Sequence, residues 1–250
     1  MSETNNVNLS ANFQSYFQIR LAKNQPEKEK VYGIRYRVFG EEFEYEPLDK
    51  LKNKMEIDDY DYSSFHCLLT HIKTNTPAAC VRLIPAISDQ TQNLLPFEQL
   101  APDYLNHPVI KDSIDTDRSL MCEISRFAVD GAFRRRSGEK ATRFGLVDGM
   151  DISKVEQRSY SLISIATALA SVALSNLLGK PNMFAMMEPF LPRILKKSGI
   201  IYTQIGSEVD YHGLRAPFFA YAPDTETTII PELRELYAAI FAQLKDDLNK

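Results

Sequence analysis

A mixed α/β domain, with a central sheet flanked by helices, is predicted by two features of the chain. Short apolar or alternating runs that read as strands are interleaved with stretches of helical periodicity. One strand-like run, Leu120-Met-Cys-Glu-Ile-Ser-Arg-Phe-Ala-Val129, carries a carboxylate (Glu123) and a guanidinium (Arg126) among apolar residues, and Asp130-Gly131 stops it. Buried charge is costly unless paired, so this strand predicts charged partners elsewhere in the chain.

Composition bounds the reading. At 250 residues, 44% apolar and 25% charged, the chain can bury one sizeable core and is neither collagen-like nor disordered as a whole. Its net charge of −4 argues against nucleic-acid binding over the whole surface. Cys67, Cys80 and Cys122 are too few for a disulfide framework and suit a reducing compartment. No His/Cys pair has metal-ligand spacing, so no metal is expected.

The elements follow in order. Residues 1–12 are polar, lack the regions of a secretory signal, and are expected to form a flexible leader before a single domain of residues 13–250. Residues 15–21 alternate as a first strand. Pro26 suits the first turn of a helix over residues 27–43, where Val31, Ile34, Val38 and Phe39 recur at helical spacing and Arg35 and Phe39 share a face. A charged connection leads to Glu56-Ile-Asp-Asp-Tyr-Asp61, whose crowded carboxylates must be exposed or meet cations. Residues 64–72 and 78–84 read as a strand pair joined through a hairpin-like turn, with Arg82 inside the second. Residues 85–119 are a long excursion of the kind found beside binding sites.

After the central strand come an arginine-rich turn and a helix over residues 154–178, closed by Gly179. Residues 159–179 carry no charge, about the length of a membrane span, but Ser161, Ser164, Ser171 and Ser175 give a small polar stripe that favours close packing on a sheet. No transmembrane span is expected, and peripheral membrane contact is left open. Residues 182–187, 200–205 and 217–221 read as strands, residues 189–197 as a short helix, and residues 231–249 as a last amphipathic helix.

Three cations (Arg35, Arg82, Arg126) and three carboxylates (Asp58, Asp61, Glu123) could therefore form one compensated network. Strict alternation puts Glu123 and Arg126 on opposite faces, so the network demands a bulge or bend between them.

The words Arg35-Tyr-Arg-Val-Phe39, Glu56-Ile-Asp-Asp-Tyr-Asp61, Arg82-Leu-Ile-Pro85 and Glu123-Ile-Ser-Arg-Phe-Ala-Val129 resemble, in order and spacing, those of the acyl-homoserine-lactone synthases. That family keeps a tryptophan shortly after the phenylalanine; here Tyr45 takes the approximate position and the chain has no tryptophan. The segment Tyr211-His-Gly-Leu-Arg-Ala-Pro-Phe218 looks more like the long-chain N-acyl amino acid synthases and the exosortase-associated acyltransferases, and the turn Phe133-Arg-Arg-Arg-Ser-Gly-Glu139 resembles the latter.

The resemblance implies a GNAT-like acyl-CoA N-acyltransferase fold in a bacterial, cytoplasmic enzyme. It implies transfer of a fatty acyl group from acyl carrier protein or acyl-CoA to a small amine acceptor, an amino acid or related metabolite. No cofactor is tightly bound; an acyl-phosphopantetheine thioester is the co-substrate. The alternatives are a homoserine-lactone synthase using S-adenosylmethionine and a non-catalytic acyl-binding sensor.

On this reading Glu123 is the base that deprotonates the amine, with Arg126 and Phe127 beside it, and backbone N–H groups near residues 127–129 stabilise the oxyanion. Arg35, Phe39, Asp58, Asp61, Arg82 and Val129 bind substrate, the arginines serving as candidate anchors for the acceptor's carboxylate. In the fold so implied, a turn of the form Arg/Gln-x-x-Gly-x-Gly/Ala cradles the carrier's phosphates. Here Arg135 and Gly138 match it, and Lys140 replaces the last small residue. Arg134, Arg135, Arg136, Lys140 and Arg143 against a single Glu139 make a local basic patch in an acidic chain, suited to an acidic carrier.

Overall fold

The computed structural model describes residues 9–87, 94–113, 117–134, 159–160 and 162–250. Its core is a sheet in the order β1-β2-β3-β4-β5-β8-β6, with β7 pairing separately with β8. The strands are β1 (Phe17–Leu21), β2 (Phe65–His71), β3 (Thr76–Pro85), β4 (Met121–Val129), β5 (Asn182–Met187), β6 (Thr203–Gln204), β7 (Val209–Asp210) and β8 (Leu214–Tyr221). Every pairing is antiparallel except β4 with β5, which is parallel and is reached by a crossover containing the helix Ile163–Leu177. The mixed α/β fold read from the sequence is what forms.

Eight helices accompany these strands among the described residues: α1 (Leu9–Tyr16), α2 (Gln25–Arg35), α3 (Pro96–Leu100), α4 (Pro108–Ser113), α5 (Ile163–Leu177), α6 (Leu191–Lys196), α7 (Ala222–Thr228) and α8 (Pro231–Leu248). Among the described residues, none is long and apolar enough to cross a membrane.

The two faces of the sheet are covered differently. On one face, α5 and α8 pack over the major core, including Leu69, Val81, Leu83, Cys122 and Ile124. Buried Thr167, Ser171 and Ser175 allow close approach on α5. The Thr167 and Ser171 hydroxyls donate back to helix carbonyls, and Ser175 donates to the carbonyl of Lys180. Gly179, at φ +64, ends this helix. On the other face, Val31, Ile34 and Val38 of the first long helical segment meet Leu68, Cys80 and Ala128.

Four sequence expectations change. Residues 9–12 belong to α1 rather than to a free leader, because Phe13 and the buried Ser10 anchor that helix; the strand expected from residue 15 starts at Phe17. The helix expected over residues 27–43 begins at Gln25, where Asn24 caps it in a reciprocal pair with Glu27, and then widens into a π-helix over Tyr36–Glu42. The strand expected over residues 200–205 is reduced to Thr203–Gln204.

The sheet contains the bend that the sequence demanded. On β3, Cys80 pairs with Ala128 and Arg82 with Ser125, so β4 carries one extra residue opposite Val81. Arg126 sits in that bulge at φ +52, a conformation uncommon outside glycine. β4 pairs with β5 only from Met121 to Glu123, against Asn182 to Phe184. Beyond Glu123 the two strands are unpaired, and a cleft opens between them.

Candidate active site

The charged residues meet on the α2 face of the sheet in a closed ring of alternating sign. Arg35 donates through Nε to Glu56 and grips Asp61 with both terminal nitrogens, at 2.7 and 3.0 Å. Asp61 also accepts from Arg82 Nη1 at 2.8 Å, and Arg82 reaches Asp58 at 2.5 Å. Asp58 accepts from Arg126 Nη2 at 2.9 Å, and Arg126 Nε closes the ring on Glu56 at 3.0 Å. Each carboxylate bridges two guanidiniums and each guanidinium bridges two carboxylates.

Local sequence explains how the carboxylates are aimed. Asp58 caps the 3-10 turn Asp59–Ser63 by accepting from the Tyr60 N–H at 3.0 Å, and Asp61 returns to accept from the Asp58 N–H at 2.8 Å. That reciprocal cap is the physical content of the three-residue spacing. The bulge turns Arg126 onto the face that carries Arg82 and Ser125, and Ser125 Oγ accepts from Arg82 Nε at 3.0 Å.

Electrostatics follow from burial and partners. Burial opposes the charge of Arg35, but Glu56 and Asp61 outweigh it and strengthen its hold on the proton. Burial likewise pushes Asp61 upward, and Arg35 and Arg82 more than reverse this, leaving its carboxyl well below the usual range.

Glu123 stands outside the ring, which corrects its expected place as one of the three carboxylates of the network. Glu56 is the third carboxylate. It was visible in the acidic word but not separable there from its neighbours. Glu123 instead accepts one hydrogen bond, at 2.8 Å, from the N–H of Phe97, at the start of α3. Burial raises its pKa to about 8; the Phe97 N–H, Arg82 and Arg126 only partly oppose this. A carboxyl held near neutrality is suited to taking a proton from an amine.

The cleft between β4 and β5 joins both faces of the sheet. Phe39, Tyr45, Glu56, Ser125 and Arg126 line one part, with Tyr211, His212 and Arg215 from the β7–β8 hairpin. Ile124, Phe127, Ala168, Met187, Leu191, Leu195 and Tyr202 are among those lining the other part. Its empty space, counting the open mouth and the solvent there, is about 990 Å³.

The sequence-predicted residues distribute unevenly around this cleft. Arg126, Phe127 and Phe39 line it, and the Arg126 guanidinium lies 5.9 Å from the centre of the Phe39 ring. Arg35, Asp58, Asp61, Arg82 and Glu123 do not line it. Arg35, Arg82 and Asp61 are enclosed in the ring, with exposures of 1% or less. Val129 is a core residue paired with Ala79, so it is not in contact with the cleft; of residues 127–129 only Phe127 reaches it.

Arg134 is likewise not a surface contact. It is 2% exposed, donates to the Val129 carbonyl at 2.5 Å, pairs with Glu42 and lies over the Phe43 ring. The turn after β4 folds it inward, against the end of the π-helix. Arg135, Arg136, Gly138, Lys140 and Arg143 lie outside the described residues.

Sequence reasoning missed Arg215, His212 and Tyr211 as cleft residues, although the motif containing them stood out. His212 and Gly213 both take positive φ, which lets the short loop between β7 and β8 turn back over the cleft. Tyr45 stacks on Phe39 and Phe43 and lies against His212. Cys122, adjacent to Glu123, is fully buried, and burial pushes its thiol up to about 12, so it is not a poised nucleophile.

Comparison with known proteins places this geometry. Residues 34–143 match the profile of the acetyltransferase (GNAT) domain. No curated protein sequence matches the chain significantly. Among solved structures, the AHL synthase LasI superposes with a TM-score of 0.56 at 13% identity, covering 86% of this chain and 95% of LasI. The CoA-dependent acyl-homoserine lactone synthase BjaI gives 0.57 at 16% identity, over 89% and 98% of the two chains. FeeM, an N-acyl amino acid synthase from uncultured soil microbes, gives 0.50 at 14% identity, over 86% and 94%. Residues 34–143 are thus similar to a GNAT acetyltransferase domain, and the chain shares its fold with these synthases.

Proposed function

We propose that the chain transfers a fatty acyl group from a phosphopantetheine thioester, preferentially on acyl carrier protein, to the amine of an amino acid or related metabolite in the cytoplasm. The observation that carries this reading is the two-part lining of the cleft. Ile124, Phe127, Ala168, Leu191 and Leu195 offer an apolar berth for an acyl chain, while Arg126, Tyr211 and Arg215 offer a polar berth for an acceptor. The two berths meet where β4 is unpaired from β5.

The amine nitrogen attacks the thioester carbonyl carbon, the C–S bond breaks, and the thiol leaves. Most of the acceptor is ammonium at neutral pH and must first lose a proton. Glu123 is the base. Since it does not line the cleft, the proton reaches it through a water or through the hydroxyl of Ser125, which does. The oxyanion is held on the edge of β4 that β5 leaves unpaired past Glu123. The ring holds the bulge, and so this edge, in place. The basic run over residues 135–143 receives the acidic carrier.

The test is expression of the chain in a bacterial host followed by mass spectrometry of the lipid extract. New N-acyl amino acids are the expected products. Homoserine lactones would replace the acceptor assignment, and the absence of any new lipid, together with no thiol release from acyl-carrier or acyl-CoA donors in vitro, would favour a non-catalytic acyl sensor.

A further inference from the structure

Arg215 is the cation of the cleft that the ring does not use. Arg126 also lines the cleft, but its Nε and Nη2 are committed to Glu56 and Asp58. Among the described residues, the Arg215 side chain has neither a hydrogen bond nor an ion pair, and its Nε is buried without a partner. Its guanidinium is held instead between two rings, 5.6 Å from the centre of Tyr45 and 5.7 Å from that of Tyr211. A guanidinium fixed by flanking aromatics keeps its planar fork pre-organised for a bidentate anion.

The groups around it are consistent with a waiting cation. Burial lowers its affinity for the proton; Glu188 and Tyr211 favour the charge, and Arg126 opposes it. A partly buried guanidinium that makes no ion pair is costly to keep charged, so an anion arriving in the cleft is bound strongly. Glu188 also lines the cleft.

We propose that Arg215, clamped by Tyr45 and Tyr211, is the binding site for the carboxylate of the acceptor. This deepens the acyl-transfer reading by naming the feature of the acceptor that is recognised, and it moves that role from Arg35 and Arg82, which the ring encloses. An acceptor held by its carboxylate at Arg215 directs its α-amine toward the unpaired edge of β4.

The test separates carboxylate recognition from catalysis by using two product-like ligands, N-dodecanoylglycine and N-dodecanoylglycinamide, with binding measured by calorimetry on the full chain. They differ only in the carboxylate. The wild-type protein is expected to bind the acid at least about tenfold more tightly than the amide. Arg215→Met is expected to abolish that preference while leaving the amide's affinity within about twofold, and Arg215→Lys to restore part of it. A melting curve of each variant checks folding. A preference that survives Arg215→Met, an equal loss for both ligands, or no preference in the wild type would each overturn the assignment. Because no turnover is required, an inactive wild type would remove the acyl-transfer reading while leaving this comparison decisive for Arg215.

Discussion

Arg126 reaches Asp58 at 2.9 Å from a backbone position at φ +52. Without that left-handed residue, alternation would point the guanidinium to the opposite face, and the ring would be left open between Glu56 and Asp58. The strain sits at the point where β4 leaves β5, which is also where the cleft begins.

A reversal of the usual glycine–alanine order follows. Replacing Arg126 by either Ala or Gly removes two ion pairs and should cost about 2 kcal/mol, the side chain being partly exposed. Glycine occupies φ +52 without penalty, whereas alanine bears about 1 kcal/mol of strain there. Arg126→Gly is therefore expected to be the more stable variant by about 1 kcal/mol in denaturant titration. If Arg126→Ala proves equal or more stable, the bulge does not depend on that backbone geometry.

The ring makes Asp61 a sensitive position. Asp61→Asn leaves Arg35 and Arg82 each short of a charge partner in a nearly dry site and should cost about 3–5 kcal/mol near neutral pH. The sign with pH is determinate. Asp61 is held below the ordinary carboxylate range, so its contribution is fully present above pH ~4 and is lost as the pH falls through its folded value. The stability gap between wild type and Asp61→Asn should narrow as the pH is lowered from ~5 toward ~2. A constant gap over that range would mean that the charge of Asp61 does not stabilise the fold.

Much of this site was legible in the chain, and the limits have physical causes. The demand for a bend came from Glu123 and Arg126 themselves, because their three-residue spacing conflicts with a period of two. The pairing of the ring was less legible. Glu56, Asp58 and Asp61 are equivalent acids in one loop until the cap of Asp58 on the 3-10 turn aims them, so Glu123 was given the place that Glu56 takes. Arg134 read as the first of a basic run because its burial is decided by Glu42 and Phe43, at the end of the π-helix, which has no periodicity signal of its own. Arg215 was hidden for a similar reason. Its aromatic clamp joins Tyr45 to Tyr211, and nothing in either local sequence announces the other.

Glu123 predicts opposite pH trends for stability and activity. Its folded pKa of about 8 lies above the ordinary 4.5. Between those values the folded chain holds a proton that the unfolded chain has lost, so this residue's contribution weakens stability as the pH rises, by up to ~1.4 kcal/mol per pH unit across that window. Glu123→Gln lacks the effect and should gain stability relative to wild type between pH ~5 and ~8. Activity runs the other way, since only the ionised carboxylate accepts a proton. The ratio of wild-type to Glu123→Gln kcat/KM should rise about tenfold between pH ~7 and ~9, the acceptor's own titration cancelling in the ratio. A flat ratio would remove Glu123 from the proton path.

Arg134 and its neighbours should separate folding from carrier recognition. Arg134→Met takes a charged donor away from Glu42 and from the Val129 carbonyl in a buried setting and should lower stability by about 3 kcal/mol. Its effect on the KM for acyl carrier protein should be no larger than its effect on the KM for acyl-CoA. Charge reversal at Arg135 and Arg136 should do the opposite. The melting temperature stays close to wild type while the KM for acyl carrier protein rises by about tenfold at low salt, and that penalty shrinks as ionic strength increases. The KM for acyl-CoA of matching chain length serves as the control, since coenzyme A presents no acidic protein surface. An equal rise for both donors would place Arg135 and Arg136 on the phosphate they share rather than on the carrier, and an unchanged KM for both would detach the basic run from donor binding altogether.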